Sequence, residues 1–282
     1  MNEKVAIMTD STCDIPQDII EKYGIHVVPL RIVYGEREYR DNVDITAEQV
    51  YEDLPTEIPT TSLPSPEDVL NLFHKLKDEG FTHVLAIHIS SGLSGTAQMI
   101  ENLSNQIKGL VVKVIDSKSI SMGLGYSVIE AAQKLQQNAS FEAVCAHVQG
   151  ILSKMRVFFV LGTLEYLTKG GRIGKVAGTL GQILNIKPII TVNEEGVYTT
   201  YAKVRGRKQS IDKMFEALKE QLAKSRNNVA VCHGAAVEEA QALINRIKEL
   251  CSIDEIITGH VSPVIGVHTG PGTLGIAVYS TD

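Results

Sequence analysis

The chain carries only four cysteines in 282 residues, Cys13, Cys145, Cys232 and Cys251, and no two of them form a CxxC pair. That spacing supports neither a disulfide framework nor a zinc cluster. Apolar surroundings predict core positions for Cys145, Cys232 and Cys251, while Cys13 stays open. Long apolar runs are missing as well: none approaches the ~18 residues of a membrane span. The opening Met1-Asn2-Glu3-Lys4 leads into a strand-like segment and not a signal peptide. The expectation is a cytoplasmic protein without a transmembrane segment. Basic excess is also absent. The formal net charge is -6, which argues against nucleic acid as a partner, since that needs a basic face. His26, His83, His88, His147 and His260 stand singly, with no HExxH and no paired ligand spacing, so no metal is expected. Neither an internal repeat nor a low-complexity linker is present.

The net charge conceals an asymmetry. Residues 1–155 hold 12 Lys and Arg against 21 Asp and Glu, whereas residues 156–282 hold 15 against 12. Secondary-structure rhythm changes at the same point. Before it, β-rich runs at 5–8, 26–33, 84–89 and 111–115 alternate with helical periodicity at 16–23, 46–54, 66–79, 97–107 and 121–136, the pattern of a parallel α/β unit. Thr46 with Gln49 fits a capping box, and Ser65-Pro66 a helix start. After it, strands at 157–160, 188–192, 197–204, 229–232, 255–257 and 274–279 mix with helices at 175–184, 208–222 and 237–250, and Glu194-Glu195-Gly196 reads as a hairpin turn. The spacing predicts an N-terminal α/β lobe over 1–155 and a C-terminal α+β lobe over 156–282, with a ligand cleft between them.

The chemistry concentrates in loops of small, hydroxylated and glycine residues. The most informative is Ser90-Ser91-Gly92-Leu93-Ser94-Gly95-Thr96, placed between a strand and a helix start. Free N–H groups at a helix N-terminus attract anions, glycines allow close approach, and hydroxyls add donors without charge. The loop suits a phosphate or a carboxylate, unless Ser94 or Thr96 only caps the helix. Thr9-Asp10-Ser11-Thr12, Pro59-Thr60-Thr61-Ser62-Leu63-Pro64, Lys169-Gly170-Gly171-Arg172-Ile173-Gly174 and the segment from His268 to Gly275 share that character. Loops at the carboxyl ends of strands converge on one rim of an α/β sheet, so these segments could meet around one head group.

Three chemistries remain open at this level. Nucleotide or phosphosugar binding would use the anion loop with Asp116, which stands where a ribose-binding acid falls, but neither GxGxxG nor GxxxxGK[ST] is complete; Asp10 and Asp116 could equally bond loop N–H groups. A serine-type esterase or acyl hydrolase would use Ser94 or Ser91 with His268, yet GxSxG is absent. His268, in a glycine-rich loop, could contact ligand or support backbone. Lys203, Arg205, Arg207 and Lys208 form the one basic cluster, either a solvated strand end or a docking patch for an acidic partner.

Ordered along the whole length, from about residue 3 to 280, stand Met8-Thr9-Asp10-Ser11-Thr12, Val28-Pro29-Leu30, Ile58-Pro59-Thr60-Thr61-Ser62 with Pro64, Ser90 through Thr96, Asp116-Ser117-Lys118, Leu167 with Gly170-Gly171-Arg172-Ile173, Lys187-Pro188, Lys203-Val204-Arg205, and His268-Thr269-Gly270-Pro271-Gly272. With these segments the chain resembles the DegV family, bacterial fatty-acid-binding proteins that serve as the acyl-carrying subunits of fatty acid kinase. The resemblance implies a two-lobed α/β protein holding one long-chain fatty acid between its lobes, with no other cofactor. It places the carboxylate against Thr61 and Ser94, with Ser62, Ser91 and His268 close by, and sets Arg172 near the head group or rim. It further implies a partner kinase that forms an acyl-phosphate on the bound acid, and a downstream acyltransferase that takes it. In that case the chain carries substrate and is not itself the catalyst.

Physical chemistry is compatible with this. A buried carboxylate is costly unless donors receive it, and neutral hydroxyls with backbone N–H groups do so while leaving an oxygen open to phosphorylation. Ten sequestered methylenes contribute on the order of 8 kcal/mol before ordering costs. Tunnel lining looks like core in a sequence; Phe158, Phe159, Leu161, Leu164, Ile183, Leu184, Ile189 and Ile265 are candidates for either.

Overall fold

The computed structural model describes residues 3–179, 186–223 and 225–281. In chain order its first half contains β1 (Val5–Asp10), α1 (Gln17–Tyr23), β2 (His26–Val28), β3 (Arg31–Tyr34), β4 (Arg37–Arg40), α2 (Ala47–Asp53), β5 (Thr60–Ser62), α3 (Pro66–Asp78), β6 (His83–His88), α4 (Thr96–Ser104), β7 (Val111–Asp116), α5 (Met122–Gln136) and α6 (Phe141–Lys154). The second half contains β8 (Arg156–Val160), α7 (Glu165–Lys169), β9 (Ile186–Val192), β10 (Tyr198–Arg205), α8 (Arg207–Leu222), β11 (Asn227–Gly234), α9 (Val237–Lys248), β12 (Ile253–His260), α10 (Pro263–Thr269) and β13 (Thr273–Ser280). A parallel sheet runs in the order β2-β1-β6-β7. A six-stranded mixed sheet runs β10-β9-β8-β13-β11-β12, and a small antiparallel sheet β4-β3-β5 stands beside them. This is the mixed α/β architecture with an α+β second lobe that the alternation implied.

Period-two alternation sorts the second sheet onto two cores. Phe158 and Val160 of β8 and Ile276 and Val278 of β13 join Met214, Leu218, Leu243 and Ile247 of α8 and α9. Their neighbours Val157, Phe159, Ala277 and Tyr279 point the other way and pack with Ile7, Leu85 and Ile87 of the parallel sheet and with Tyr126 and Ile129 of α5. One core therefore spans both sheets, with α5 between them; the Tyr126 hydroxyl crosses it to donate to the Val229 carbonyl at 2.6 Å. Successive strand side chains leave on opposite faces, so this sorting follows from the pattern itself.

Several expectations need correction. The run 26–33 is two strands, because Pro29 has no N–H to extend the ladder, and the chain leaves β2 for a second sheet as Leu30 N–H donates to Ser11 Oγ at 3.0 Å. Segments 60–62 and 263–269 are a strand and a helix, not loops, so His268 lies in the last turn of α10. Helix α6 was not anticipated, although Phe141, Val144, Val148 and Ile151 are buried at helical spacing behind the Ser140 cap. Within the run 175–184, residues Gly174–Thr179 form a 3-10 helix and the remainder falls outside the described residues. Cys251 is exposed in the turn after α9 and not in the core, whereas Cys13 and Cys232 are buried and Cys145 is half-buried. The capping box forms as read, with Gln49 N–H donating to Thr46 Oγ1 and the Gln49 side chain accepting in return. Among the described residues no helix is long and apolar enough to cross a membrane, and no cluster of three or more His, Cys, Asp or Glu could hold a metal ion.

Helix α10 is held from the first half of the chain. Asp14 Oδ1 accepts from Ser262 N–H at 2.8 Å, and Asp41 Oδ1 from Val264 N–H at 3.0 Å. Burial pushes the Asp14 carboxyl up to about 8 and the Asp41 carboxyl up to about 7, against the hydrogen bonds that favour ionisation. An unfolded carboxyl titrates near about 4, so between there and about pH 8 the folded chain holds more protons than the unfolded one, and stability falls as pH rises through the window. Urea unfolding from about pH 5 to about pH 8 should show that decline, and Asp41→Asn should reduce its slope while the Asp14 share remains. An identical slope in the variant would contradict the assignment.

Candidate functional site

The hydroxyl segments meet in one cavity of about 210 Å³. Thr61 and Ser62 enter it from β5, which is fixed by antiparallel pairing of Ile32 with Thr61. Ser94 and Gly95 enter from the start of α4, Thr12 from the 3-10 turn after β1, Arg172 from beyond α7, and His268 from α10. Leu30, Leu93, Ile120, Tyr198, Val264 and Ile265 close the remaining walls.

Local bonding explains why these side chains converge. Asp10 is fully buried and accepts from Thr12 N–H at 3.1 Å, Thr12 Oγ1 at 2.5 Å and Ile89 N–H at 2.9 Å, with His88 Nδ1 at 3.0 Å. It thereby ties the loop after β1 to the loop after β6. Gly95 precedes α4 and no side chain caps that helix; its first-turn N–H groups therefore begin at the cavity. The Ser94 hydroxyl lies 2.8 Å from Thr96 Oγ1, so Ser94 is not the helix cap.

His268 is nine-tenths buried, with Nε2 2.8 Å from Thr61 Oγ1. Its Nδ1 has no partner among the described residues. Room for that ring exists because residue 170 is glycine: a Cβ there would stand 2.2 Å from Nδ1. Burial, reinforced by the Arg172 charge, pulls the imidazole down to about 4, so it is neutral at physiological pH. Arg172 donates from Nη1 to the Gly170 carbonyl at 2.8 Å. The cavity thus offers hydroxyls, a neutral imidazole, helix N–H groups and one guanidinium tied to backbone, a set suited to an anion that keeps an oxygen accessible.

Ile120, Tyr198 and Ile265 also wall a second, apolar chamber of about 40 Å³, lined by Met122, Val157, Phe159, Cys232, Val261 and Ile276 among others. Thr269 and Thr273 reach it too, but their hydroxyls donate to Ile265 O at 2.9 Å and Gly270 O at 2.7 Å. Ile120, Tyr198 and Ile265 line both spaces and form the neck that separates them. Of the eight lining candidates, Phe159 and Ile265 border the chamber. Phe158 and Ile189 lie in the core beneath α8, Leu161 and Leu164 flank a separate groove beside α7, and Ile183 and Leu184 fall outside the described residues.

The other expected site residues are elsewhere. Ser91 is exposed, its hydroxyl accepting from Lys118 Nζ at 2.8 Å and its N–H donating to Asp116 at 3.1 Å. Asp116 also accepts from Lys118 N–H and pairs with its ammonium at 2.7 Å; against the effect of burial, these bonds hold its carboxyl low. Asp116 is thus a loop organiser. Lys203, Arg205 and Lys208 are exposed at and beyond the edge strand β10, whereas Arg207 is engaged by Glu239 at 2.6 Å. None of these four borders the cavity. Thr12, Ile120 and Tyr198 were not anticipated as walls; only Thr12 carried a signal, its hydroxylated segment.

The histidine assignment has a direct test. In a proton-NMR titration the His268 imidazole should stay neutral down to about pH 4 to 5; a midpoint near the ordinary imidazole value of about 6.5 would mean an open, hydrated site.

Comparison with known proteins bears on this geometry. The family described as "Uncharacterised protein, DegV family" matches residues 4–281. A DegV domain-containing protein of Clostridium acetobutylicum is 44% identical over 98% of this chain and 99% of its own. Among solved structures, a fatty-acid-binding DegV family protein from Thermus thermophilus superposes with a TM-score of 0.92 at 33% identity, covering 98% of this chain and 99% of that one. A stearic-acid-binding protein from Eubacterium ventriosum superposes at 0.90 with 30% identity, covering 99% and 98%. Matches of this extent place the chain in the DegV family.

Proposed function

We propose that this protein binds one long-chain fatty acid. Its carboxylate would sit among Thr61, Ser94, Ser62 and His268 with Arg172 at the rim, and its acyl chain would pass the Ile120, Tyr198 and Ile265 neck into the apolar chamber between the two lobes, 1–155 and 156–282. The observation that carries this reading is that a cavity rich in hydroxyl donors adjoins an apolar space across Ile120, Tyr198 and Ile265. A carboxylate received by uncharged donors is solvated by hydrogen bonds and keeps its charge. Ser91 stands outside this arrangement, held by Lys118. Fatty-acid binding by the Thermus and Eubacterium relatives supports the assignment.

Following the family resemblance, the bound acid is presented to a partner fatty acid kinase, which forms the acyl-phosphate, and then to an acyltransferase, in the uptake of fatty acids for phospholipid synthesis in the cytoplasm. The chain itself would be a non-catalytic subunit. The esterase alternative has less support: His268 Nε2 faces Thr61 and not a serine, its Nδ1 lacks an orienting carboxylate, and Ser94 pairs with Thr96.

Protein purified, denatured and extracted into organic solvent should yield about one equivalent of long-chain fatty acid by mass spectrometry. Thr61→Val combined with Ser94→Ala should weaken binding by about 3 kcal/mol or more, the loss of hydrogen bonds to a charged group. Undiminished occupancy in the double variant would remove the carboxylate from this cavity.

The exposed Lys203 and Arg205 supply the kinase-docking part of the proposal. Reversing both to Glu should slow phosphorylation of the bound acid and leave its affinity unchanged, and added salt should weaken the wild-type encounter. A parallel loss of lipid affinity would reassign these residues to the fold.

A further inference from the structure

Ser90 and Gly92 of the anion loop do not border the cavity and have another partner. Ser90 is fully buried, donates from Oγ to the Gly196 carbonyl at 2.7 Å, and accepts from Gly92 N–H at 3.1 Å. Gly196 belongs to the turn joining β9 to β10, in the opposite lobe. The two segments interlock sterically as well as by hydrogen bonding. A Cβ on Gly92 would stand 2.6 Å from the Gly196 carbonyl oxygen, and a Cβ on Gly196, whose φ is +78°, would stand 1.9 Å from Ser90 Oγ. The turn is braced internally too: Gly196 N–H donates to Asn193 O at 2.8 Å, and the Asn193 side chain accepts from Val197 N–H at 3.0 Å. Two residues beyond Gly196, Tyr198 packs on Phe159 with ring centroids 5.1 Å apart and forms part of the neck between cavity and chamber.

We propose that Ser90 and the turn at 193–197 form an inter-lobe latch that holds Tyr198 in the neck, so that an acyl chain enters and leaves the apolar chamber only when this latch releases. Ser90 is then a positioning residue acting through Tyr198, and the loop that seats the carboxylate is the same loop that sets access for the chain. The inference rests on the fatty-acid reading and adds to it a route. Ile120, Tyr198 and Ile265 stand between cavity and chamber and Tyr198 is buried, so a chain passing from Thr61 and Ser94 into the chamber must displace that ring. Tyr198 heads a strand whose preceding turn is pinned to the other lobe, so ring and turn move together.

Stopped-flow mixing with cis-parinaric acid, a fluorescent long-chain fatty acid, tests this. Ser90→Ala should raise the uptake and release rates together by about tenfold, the equivalent of one hydrogen bond, with the dissociation constant kept within about threefold. Tyr198→Ala should accelerate the same step, and adding Ser90→Ala to it should give little further increase, because both act on one event. As an independent variant, Asn193→Ala removes the side-chain oxygen that accepts from Glu195 N–H and Val197 N–H and braces the turn, and it should accelerate exchange as Ser90→Ala does. Wild-type rates in both Ser90→Ala and Asn193→Ala, or fully independent effects of Ser90 and Tyr198, would overturn the latch while leaving fatty-acid binding intact. Failure of the wild type to take up the probe would overturn the fatty-acid reading and the latch together.

Discussion

Asp10 sits at the end of β1 with no exposure to solvent, and its two carboxyl oxygens receive Thr12 N–H, Thr12 Oγ1 and Ile89 N–H and face His88 Nδ1. A buried carboxyl left without donors would be strongly destabilising, so the chain must bring the loops after β1 and β6 to it. Those loops deliver Thr12 and Ser94 to one cavity. Parallel pairing of β1 with β6 aligns the two strand ends, and Asp10 converts that alignment into a fixed separation of the loops. The site therefore depends on a residue that does not border it.

A second constraint acts from the far side. Helix α10 is short, seven residues, and could not hold its position by its own hydrogen bonds. Asp14 and Asp41 capture its first N–H groups, α2 packs along it, and Thr61 meets its last turn through His268. Elements distant in sequence thus set the imidazole, and burial leaves it uncharged. A charged histidine would clamp a carboxylate more firmly; a neutral one stabilises it less and leaves it more available to a second reactant. In the proposed reading, polar donors on one side and an apolar chamber on the other would give a carboxylic acid with a long tail a defined direction.

The interior between the sheets is continuous with the ordinary core. Val157, Phe159 and Ala277 pack among the core side chains and also border the chamber. Threonine hydroxyls there are turned onto nearby carbonyls, which leaves the space apolar. This is why a tunnel wall and a packed interior look alike in composition: both need the same side chains, and only their spacing from one another differs.

Much was legible in the sequence itself. Strand alternation in β8, β11 and β13, the capping box at Thr46, the hairpin at Gly196 and the hydroxylated loop at Ser94 all follow from local chemistry, because each is decided by side chains and backbone within a few residues of one another. Tertiary structure decided the rest. It made 263–269 a helix by supplying two distant carboxyls, turned Ser91 away to Lys118 and engaged Arg207 with Glu239. It also chose Tyr198, Ile120 and Ile265 from many similar apolar residues to form the neck. Those outcomes depend on which segments meet across separations of 27 residues, for Ser91 and Lys118, up to 248, for Asp14 and Ser262, and no local pattern encodes such a meeting.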